Sequence, residues 1–402
     1  MINRIYKYVI IGGGLTGGHA IEGIREMDKD GSILLISHER HLPYDRPPLS
    51  KKLWFGQKKL EDVFVHNEGF YANNNVDVIL GTQIVELDRN AKTVSDGRSI
   101  TYQYDRLLLA TGGVPRTLDI PGGDMNDIYY YRYLNDYVDA REHASEGKMA
   151  VVIGGGFIGS ELAAALNINK IDVTMVFPES YLVARVFPED LGRAIQEDYL
   201  RRGVKIITGD VPVAFEKHSG KFITRTKNGI ELESDMVIVG IGIKPDVDLA
   251  QMSELDVANG IVVNEYLQTS DPNIYAAGDN AFFPYLALGG ERMRIEHWDN
   301  AVIGGQYAGR NMAGANQPYD HMPYFFSDLF DFGYEAVGDI NPKLDVFEDW
   351  QKEFDTGVVY YLRDGKVRGA MMCNVWDKVD AARELIKESR TVTADDLRGA
   401  IK

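Results

Sequence analysis

Short apolar runs recur along the chain, separated by polar stretches, and several of them feed directly into glycine clusters. Residues 6–11 lead into Gly12-Gly13-Gly14-Leu15-Thr16-Gly17, and residues 149–153 lead into Gly154-Gly155-Gly156-Phe157-Ile158-Gly159. A helical pattern follows each cluster, and then a second apolar run at 33–36 or 173–176. Runs without a polar face predict strands buried on both sides, as in a parallel sheet. Strand, glycine loop, helix and strand in that order make a parallel βαβ unit, here duplicated.

Further buried strands are predicted at 107–109, 236–239 and 274–277, each running into a glycine-containing turn. Strand ends of this kind are where open α/β sheets place ligands. Past residue 323 the texture changes. The stretch 347–350 is acidic, 358–362 and 367–372 read as a hairpin across Asp364-Gly365, and a helix is expected near 378–388. The tail is therefore read as a separate α+β domain.

Composition narrows the function classes. The 402 residues, 45% hydrophobic and 26% charged, are ordinary globular material for two to three domains. A net charge of −17 opposes nucleic acid and anionic membranes, and no long basic run offsets it. No apolar stretch reaches the ~18 residues of a membrane span. Lys7 is followed at once by apolar strand, which leaves no room for a leader, so a cytoplasmic location is expected. Cys373 is the single cysteine, which excludes a disulfide framework, a cysteine zinc site and a dithiol redox centre within one chain. No metal is expected; His38 and His41, the nearest histidine pair, lie in a turn-rich stretch.

The glycine loops carry the candidate chemistry. Small residues let backbone reach a pyrophosphate at a helix N-terminus, and an acid about 20 positions on accepts a ribose 2′-hydroxyl. Glu39 stands 22 positions after Gly17, and Glu179 stands 20 after Gly159. Two dinucleotide sites imply one tightly held and one exchangeable cofactor. Glu179 would repel a 2′-phosphate, favouring NADH over NADPH, although Arg185 lies near enough in sequence to soften that preference.

Residues 42–53, Leu-Pro-Tyr-Asp-Arg-Pro-Pro-Leu-Ser-Lys-Lys-Leu, resemble a flavin-contacting segment shared by the apoptosis-inducing factors and the ferredoxin reductases of oxygenase systems. Ala110-Thr111-Gly112-Gly113 and Ala277-Gly278-Asp279 match the same superfamily. The stretches 294–299, 326–329, 333–336 and 359–364 are similar to the apoptosis-inducing-factor family in particular. The resemblance implies an α/β, glutathione-reductase-like flavoprotein with two Rossmann domains and an α+β C-terminal domain. FAD would use residues 1–113 and 244–322, NADH residues 114–243, and the C-terminal domain residues 323–402. It further implies FAD contacts from Gly12, Gly14, Gly17, Glu39, Arg46, Lys51, Ile84, Ala110, Thr111, Gly112, Arg132, Asp279, His297 and Trp298. NADH would meet Gly154, Gly156, Phe157, Ile158, Gly159, Glu179, Gly242, Glu296 and Glu335. Phe326 stands at the family's aromatic stacking position, where the mitochondrial protein carries Trp. The family's long insertion before the final hairpin and its basic nuclear-targeting run have no counterpart in these residues, and no leader is expected.

The implied activity is FAD-dependent NADH oxidation, with hydride passing from NADH to FAD and electrons then going to a quinone, oxygen or an electron-transfer protein. Catalytic roles would fall to Lys51 paired with Glu161 (expected on the first turn after the second glycine loop), to Phe157 and to His297. Phe157 is either a gate over the flavin or a core phenylalanine; His297 is either functional or structural; Asp279 either binds ribityl hydroxyls or caps a helix. Lys51, Lys52, Lys58 and Lys59 form a local basic cluster, read either as a dock for an acidic ferredoxin or rubredoxin or as a solvated loop. Two alternatives stand beside the oxidoreductase reading: a dedicated ferredoxin or rubredoxin reductase, and an NADH-sensing redox interaction protein. Homodimerisation is left open.

Overall fold

The computed structural model describes residues 2–98 and 100–401, and the chain forms two compact units. One comprises Met1–Asp45, Glu61–Val114 and Lys244–Tyr324; the other comprises Arg46–Leu60, Pro115–Ile243 and Phe325–Lys402. Arg46–Leu60, which carries Lys51, thus groups with the second glycine loop rather than the first.

The first unit is built on a parallel sheet ordered Val76–Ile79, Ile33–Ile36, Ile2–Ile11, Ile100–Leu109, with Ile274–Ala276 pairing with the last. Val9 faces both Leu34 and Leu107 in register, and all three are fully buried. This two-sided burial is what the unbroken apolar runs encode. The first strand extends well beyond the apolar run, because its pairing continues out to Ile2 opposite Ile100.

Two helices of this unit, Leu15–Met27 and Trp298–Met312, pack through glycines. A Cβ on Gly23 would sit 2.1 Å from the Gln306 carbonyl oxygen, and one on Gly309 would sit 2.1 Å from that of Ala20. The backbones touch along the C-terminal half of the second helix, so the two helices pack at close range.

The second unit repeats the plan. Its parallel sheet runs Lys205–Thr208, Asp172–Phe177, Met149–Ile153, Met236–Val239, Ile128–Tyr130. Val151, Val176 and Val237 form its core with Phe215 and Phe222, which come from a small antiparallel sheet. The same unit holds a five-stranded antiparallel sheet ordered Tyr324–Leu329, Phe332–Gly338, Lys366–Cys373, Thr356–Arg363, Asp345–Lys352. The expected hairpin is there, and its turn has φ of +54° at Asp364 and +69° at Gly365, the left-handed pair that a two-residue hairpin loop demands. The acidic stretch 347–350 lies within an edge strand, where its half-buried residues show no clean alternation. Cys373 is fully buried, and desolvation pushes its thiol well above the usual range. Among the described residues no helix is long and apolar enough to cross a membrane.

Candidate active site

In the first unit, Gly12 takes φ +120°, and a Cβ there would meet the Ala110 carbonyl oxygen at 2.0 Å. Only glycine fits that crossing of two strands. Gly14 caps the following helix, and a Cβ built on it meets nothing within 4 Å. No side chain crowds the helix N-terminus at Gly14, which suits a pyrophosphate cradle. Glu39 lies just past the second strand, and the Tyr44 hydroxyl donates to its Oε2 at 2.6 Å, which fixes the carboxylate. Asn280 donates to the Leu109 carbonyl and to Thr111 Oγ1 (2.9 Å), tying the Ala110–Gly112 turn to the Asp279 turn. Arg294 donates to the Asp279 carbonyl and pairs with Glu296. Ile84 is buried in this unit.

His297 is the N-cap of Trp298–Met312, and the Trp298 indole donates to Asp45 Oδ1 at 2.8 Å. The His297 ring keeps a little accessible surface but is surrounded by protein. That desolvation, only partly opposed by Asp279 and Asp299, pushes its imidazole down to about 4. A histidine held neutral below its unfolded value of ~6.5 binds its proton more weakly in the native state, so stability falls as pH drops from ~6.5 toward 4. His297→Asn should flatten that acid limb by at most about 1.4 kcal/mol per pH unit. Urea midpoints of both holoproteins between neutral and mildly acid pH test this; parallel curves would refute it.

The second unit's loop matches the first. Gly154 has φ +114° with a Cβ position 2.3 Å from the Gly240 carbonyl oxygen, and nothing lies within 4 Å of a Cβ on Gly156. Phe157 and Ile158 open the helix, half-buried and exposed respectively, and the Phe157 ring meets Phe325 at 5.4 Å edge to face. Phe157 is thus not a core residue. Gly159 packs on the loop backbone and Gly242 turns with φ +90°. Glu179 accepts from both Arg185 Nε and Nη2, at 3.2 and 3.0 Å. Arg185 is largely exposed, so this pair is worth at most about 1 kcal/mol and can open. Glu335 has one buried carboxylate oxygen with no protein partner, and burial raises its carboxyl above the usual range.

Lys51 and Glu161 do meet in this unit. Pro47 and Pro48 start a single 3₁₀ turn, Pro47–Ser50. The Leu49 carbonyl at its end accepts from the Tyr131 hydroxyl (2.5 Å) and the Trp54 indole (2.8 Å), which pins the turn. Lys51 Nζ then sits 3.0 Å from Glu161 Oε1, with both side chains 5% exposed. The Ser50 hydroxyl donates to Glu161 Oε2 and the Ser327 hydroxyl to Oε1, each at 2.5 Å. The Phe326 ring lies 4.6 Å from the Lys51 ammonium. Glu161 falls on the second helical turn, not the first. Lys51 also leaves the expected basic surface cluster, because its charge is buried and compensated; Lys52 and Lys59 remain exposed and Lys58 half-buried. Arg46 donates to the Arg132 carbonyl at 3.0 Å, so these two predicted contacts are adjacent. The sequence reading missed Ser50 and Ser327. Ser50 stood beside Lys51 in residues 42–53 and Ser327 beside Phe326 in residues 326–329, but neither hydroxyl was given a role.

Two cradles that only glycine permits, each followed by an acid at the next strand end, fit two dinucleotides. Residues 6–305 match the family model described as pyridine nucleotide-disulphide oxidoreductase. The chain belongs to that family. Residues 308–352 and 346–388 match the C-terminal model of apoptosis-inducing factor. The mitochondrial apoptosis-inducing factor 1 of Dictyostelium discoideum is 36% identical over 96% of this chain and 79% of that protein. A monodehydroascorbate reductase of Solanum lycopersicum is 34% identical over 92% of each chain. A solved covalent putidaredoxin reductase–putidaredoxin complex has a chain 32% identical, with TM-score 0.91 over 98% of this chain and 95% of its own. This oxidoreductase is accordingly an FAD-dependent NADH enzyme of the apoptosis-inducing-factor type, with a mixed α/β, Rossmann-like fold.

Proposed function

We propose that this enzyme is the reductase of an electron-transfer pair, delivering electrons from NADH to a small ferredoxin-type iron–sulfur protein. The likeness to putidaredoxin reductase along nearly the whole chain carries this reading. The single cysteine, buried and held protonated, offers no thiol relay, so the acceptor takes electrons without one. FAD, when bound, supplies a carrier that accepts two electrons and can release them singly. The domains then follow the glutathione-reductase plan, with segments 1–113 and 244–322 for FAD, 114–243 for NADH and 323–402 as the C-terminal domain.

In this reading Gly12, Gly14 and Gly17 admit the FAD pyrophosphate and Glu39, oriented by Tyr44, takes its ribose. Gly154, Gly156 and Gly159 do the same for NADH, with Glu179 on the ribose and Phe157 as a mobile cover. The orphaned Glu335 oxygen suits a donor on the nicotinamide nucleotide. Lys51, held by Glu161 and the two serines, is the fixed positive charge of the catalytic centre.

A second reading, reduction of a small organic radical such as monodehydroascorbate, is favoured by the 34% identity to that reductase over 92% of both chains. Anaerobic NADH oxidation with a [2Fe–2S] ferredoxin in one arm and enzymatically generated monodehydroascorbate in the other separates them. Turnover with the ferredoxin alone supports the pairing, and turnover with the radical alone overturns it. The same assay with NADPH should run about ten- to a hundredfold less efficiently, because Glu179 meets the 2′-phosphate. Equal efficiency would mean that Arg185 turns from Glu179 to the phosphate.

A further inference from the structure

The helix behind the first glycine loop carries a cluster that the redox chemistry does not use. His19 and Glu22 stand three residues apart on Leu15–Met27 and so share one face. His66, from the distant segment before the short helix Glu68–Asn73, comes up against them. His19 Nδ1 lies 3.0 Å from Glu22 Oε2, and His66 Nε2 lies 2.9 Å from Oε1. One ligand atom from each of the three residues falls within 4.8 Å of the others.

We infer that His19, Glu22 and His66 form a binding site for a divalent transition metal ion of the zinc class. Two imidazoles and one carboxylate are a zinc ligand set, and three protein ligands leave a fourth position for water. Imidazole donors select such ions over magnesium or calcium, which want an all-oxygen shell. Ligands about 2.0–2.2 Å from one tetrahedral ion lie roughly 3.3–3.5 Å apart, so the observed spacings need only small side-chain adjustments.

Three further observations point the same way. The His66 Nε2 is buried, and its 2.9 Å approach to Glu22 lacks hydrogen-bond alignment, so the ring is close to the carboxylate without donating to it. The Gln306 amide donates to Glu22 Oε2 at 2.9 Å, an outer-sphere contact of the kind that orients a ligating carboxylate. The Phe70 ring stacks on His66 with centroids 3.6 Å apart and planes 12° from parallel, which fixes the imidazole plane. The three side chains keep 15%, 26% and 17% of their surface, which gives an ion an entry path. An ion here would tie the helix behind the glycine loop to the segment carrying His66.

The test uses the FAD holoenzyme, stripped with a chelator and dialysed against Zn²⁺, with bound zinc counted by elemental analysis. One equivalent is expected, and Co²⁺ in its place should show the intense visible bands of a tetrahedral site. His66→Ala and His19→Ala should each weaken binding about ten- to a hundredfold while retaining bound FAD, and His218→Ala, on a remote surface hairpin, should change nothing. Glu22→Gln, which preserves the packing, guards against loss through misfolding and should weaken zinc to the same degree. Failure of the wild type to retain zinc, or equal zinc in wild type, His66→Ala and Glu22→Gln, overturns the assignment.

Discussion

Glu161→Ala is expected to destabilise the folded enzyme by about 3–5 kcal/mol, the usual consequence of leaving a buried charge without its partner. The alanine removes the carboxylate that Lys51, Ser50 and Ser327 all address, and it leaves an ammonium with 5% exposure uncompensated. The Phe326 ring at 4.6 Å and the pinned 3₁₀ turn leave Lys51 little room to move toward solvent. Glu161→Gln keeps the shape and a hydroxyl acceptor, so it should be milder. Ser50→Ala and Ser327→Ala each delete one hydrogen bond to a charged group and should cost about 1.5–3 kcal/mol. Urea unfolding of the holoproteins orders the series. Reduction by NADH, followed by stopped flow, should slow in Glu161→Ala and Glu161→Gln even where folding is restored by working at low temperature. An Ala variant within about 1 kcal/mol of wild type, reduced at the wild-type rate, would show that the pair is neither structural nor catalytic.

Gly12→Ala and Gly14→Ala should fail in different ways although the two glycines are neighbours in one loop. At Gly12 the added methyl would lie 2.0 Å from a backbone oxygen, at a φ of +120° that side chains rarely adopt. Backbone strain and overpacking together predict a loss of about 2–6 kcal/mol in the protein itself. At Gly14 the φ is −90° and the Cβ meets nothing within 4 Å, so the fold should tolerate alanine. On the proposed placement of FAD the methyl invades the space of the pyrophosphate, and FAD affinity should drop at least about tenfold, ~1.4 kcal/mol or more. Flavin retention on gel filtration and unfolding midpoints with and without added FAD distinguish the two. A Gly14→Ala protein that holds FAD as tightly as wild type would mean that the cofactor does not approach this helix end.

Local pattern in the sequence determined the two βαβ units, the glycine loops with their acids, and the C-terminal hairpin. Each depends on periodicity and turn chemistry over a few residues, which adjacent positions encode: each glycine loop follows its strand directly and Asp364-Gly365 make a tight turn, although the Ala110 and Gly240 carbonyls that Gly12 and Gly154 cross lie far off in sequence. The edge strand Asp345–Lys352 escaped because its partial burial shows no alternation. Lone side chains and their distant partners were decided only by the fold. The Lys51–Glu161 pair was implied only by the family resemblance, because nothing in the local pattern joins residues 110 positions apart, and only the structure removes Lys51 from the surface lysine cluster. Ser327 reaches the same carboxylate across 166 positions. Arg185 lies near Glu179 in sequence, yet only the structure shows its guanidinium on that carboxylate. His38 and His41 stand only three positions apart, whereas His19, Glu22 and His66 are assembled by a helix face and a distant loop. Contacts between side chains far apart in sequence depend on how sheets and helices close, and neither spacing nor composition carries that information.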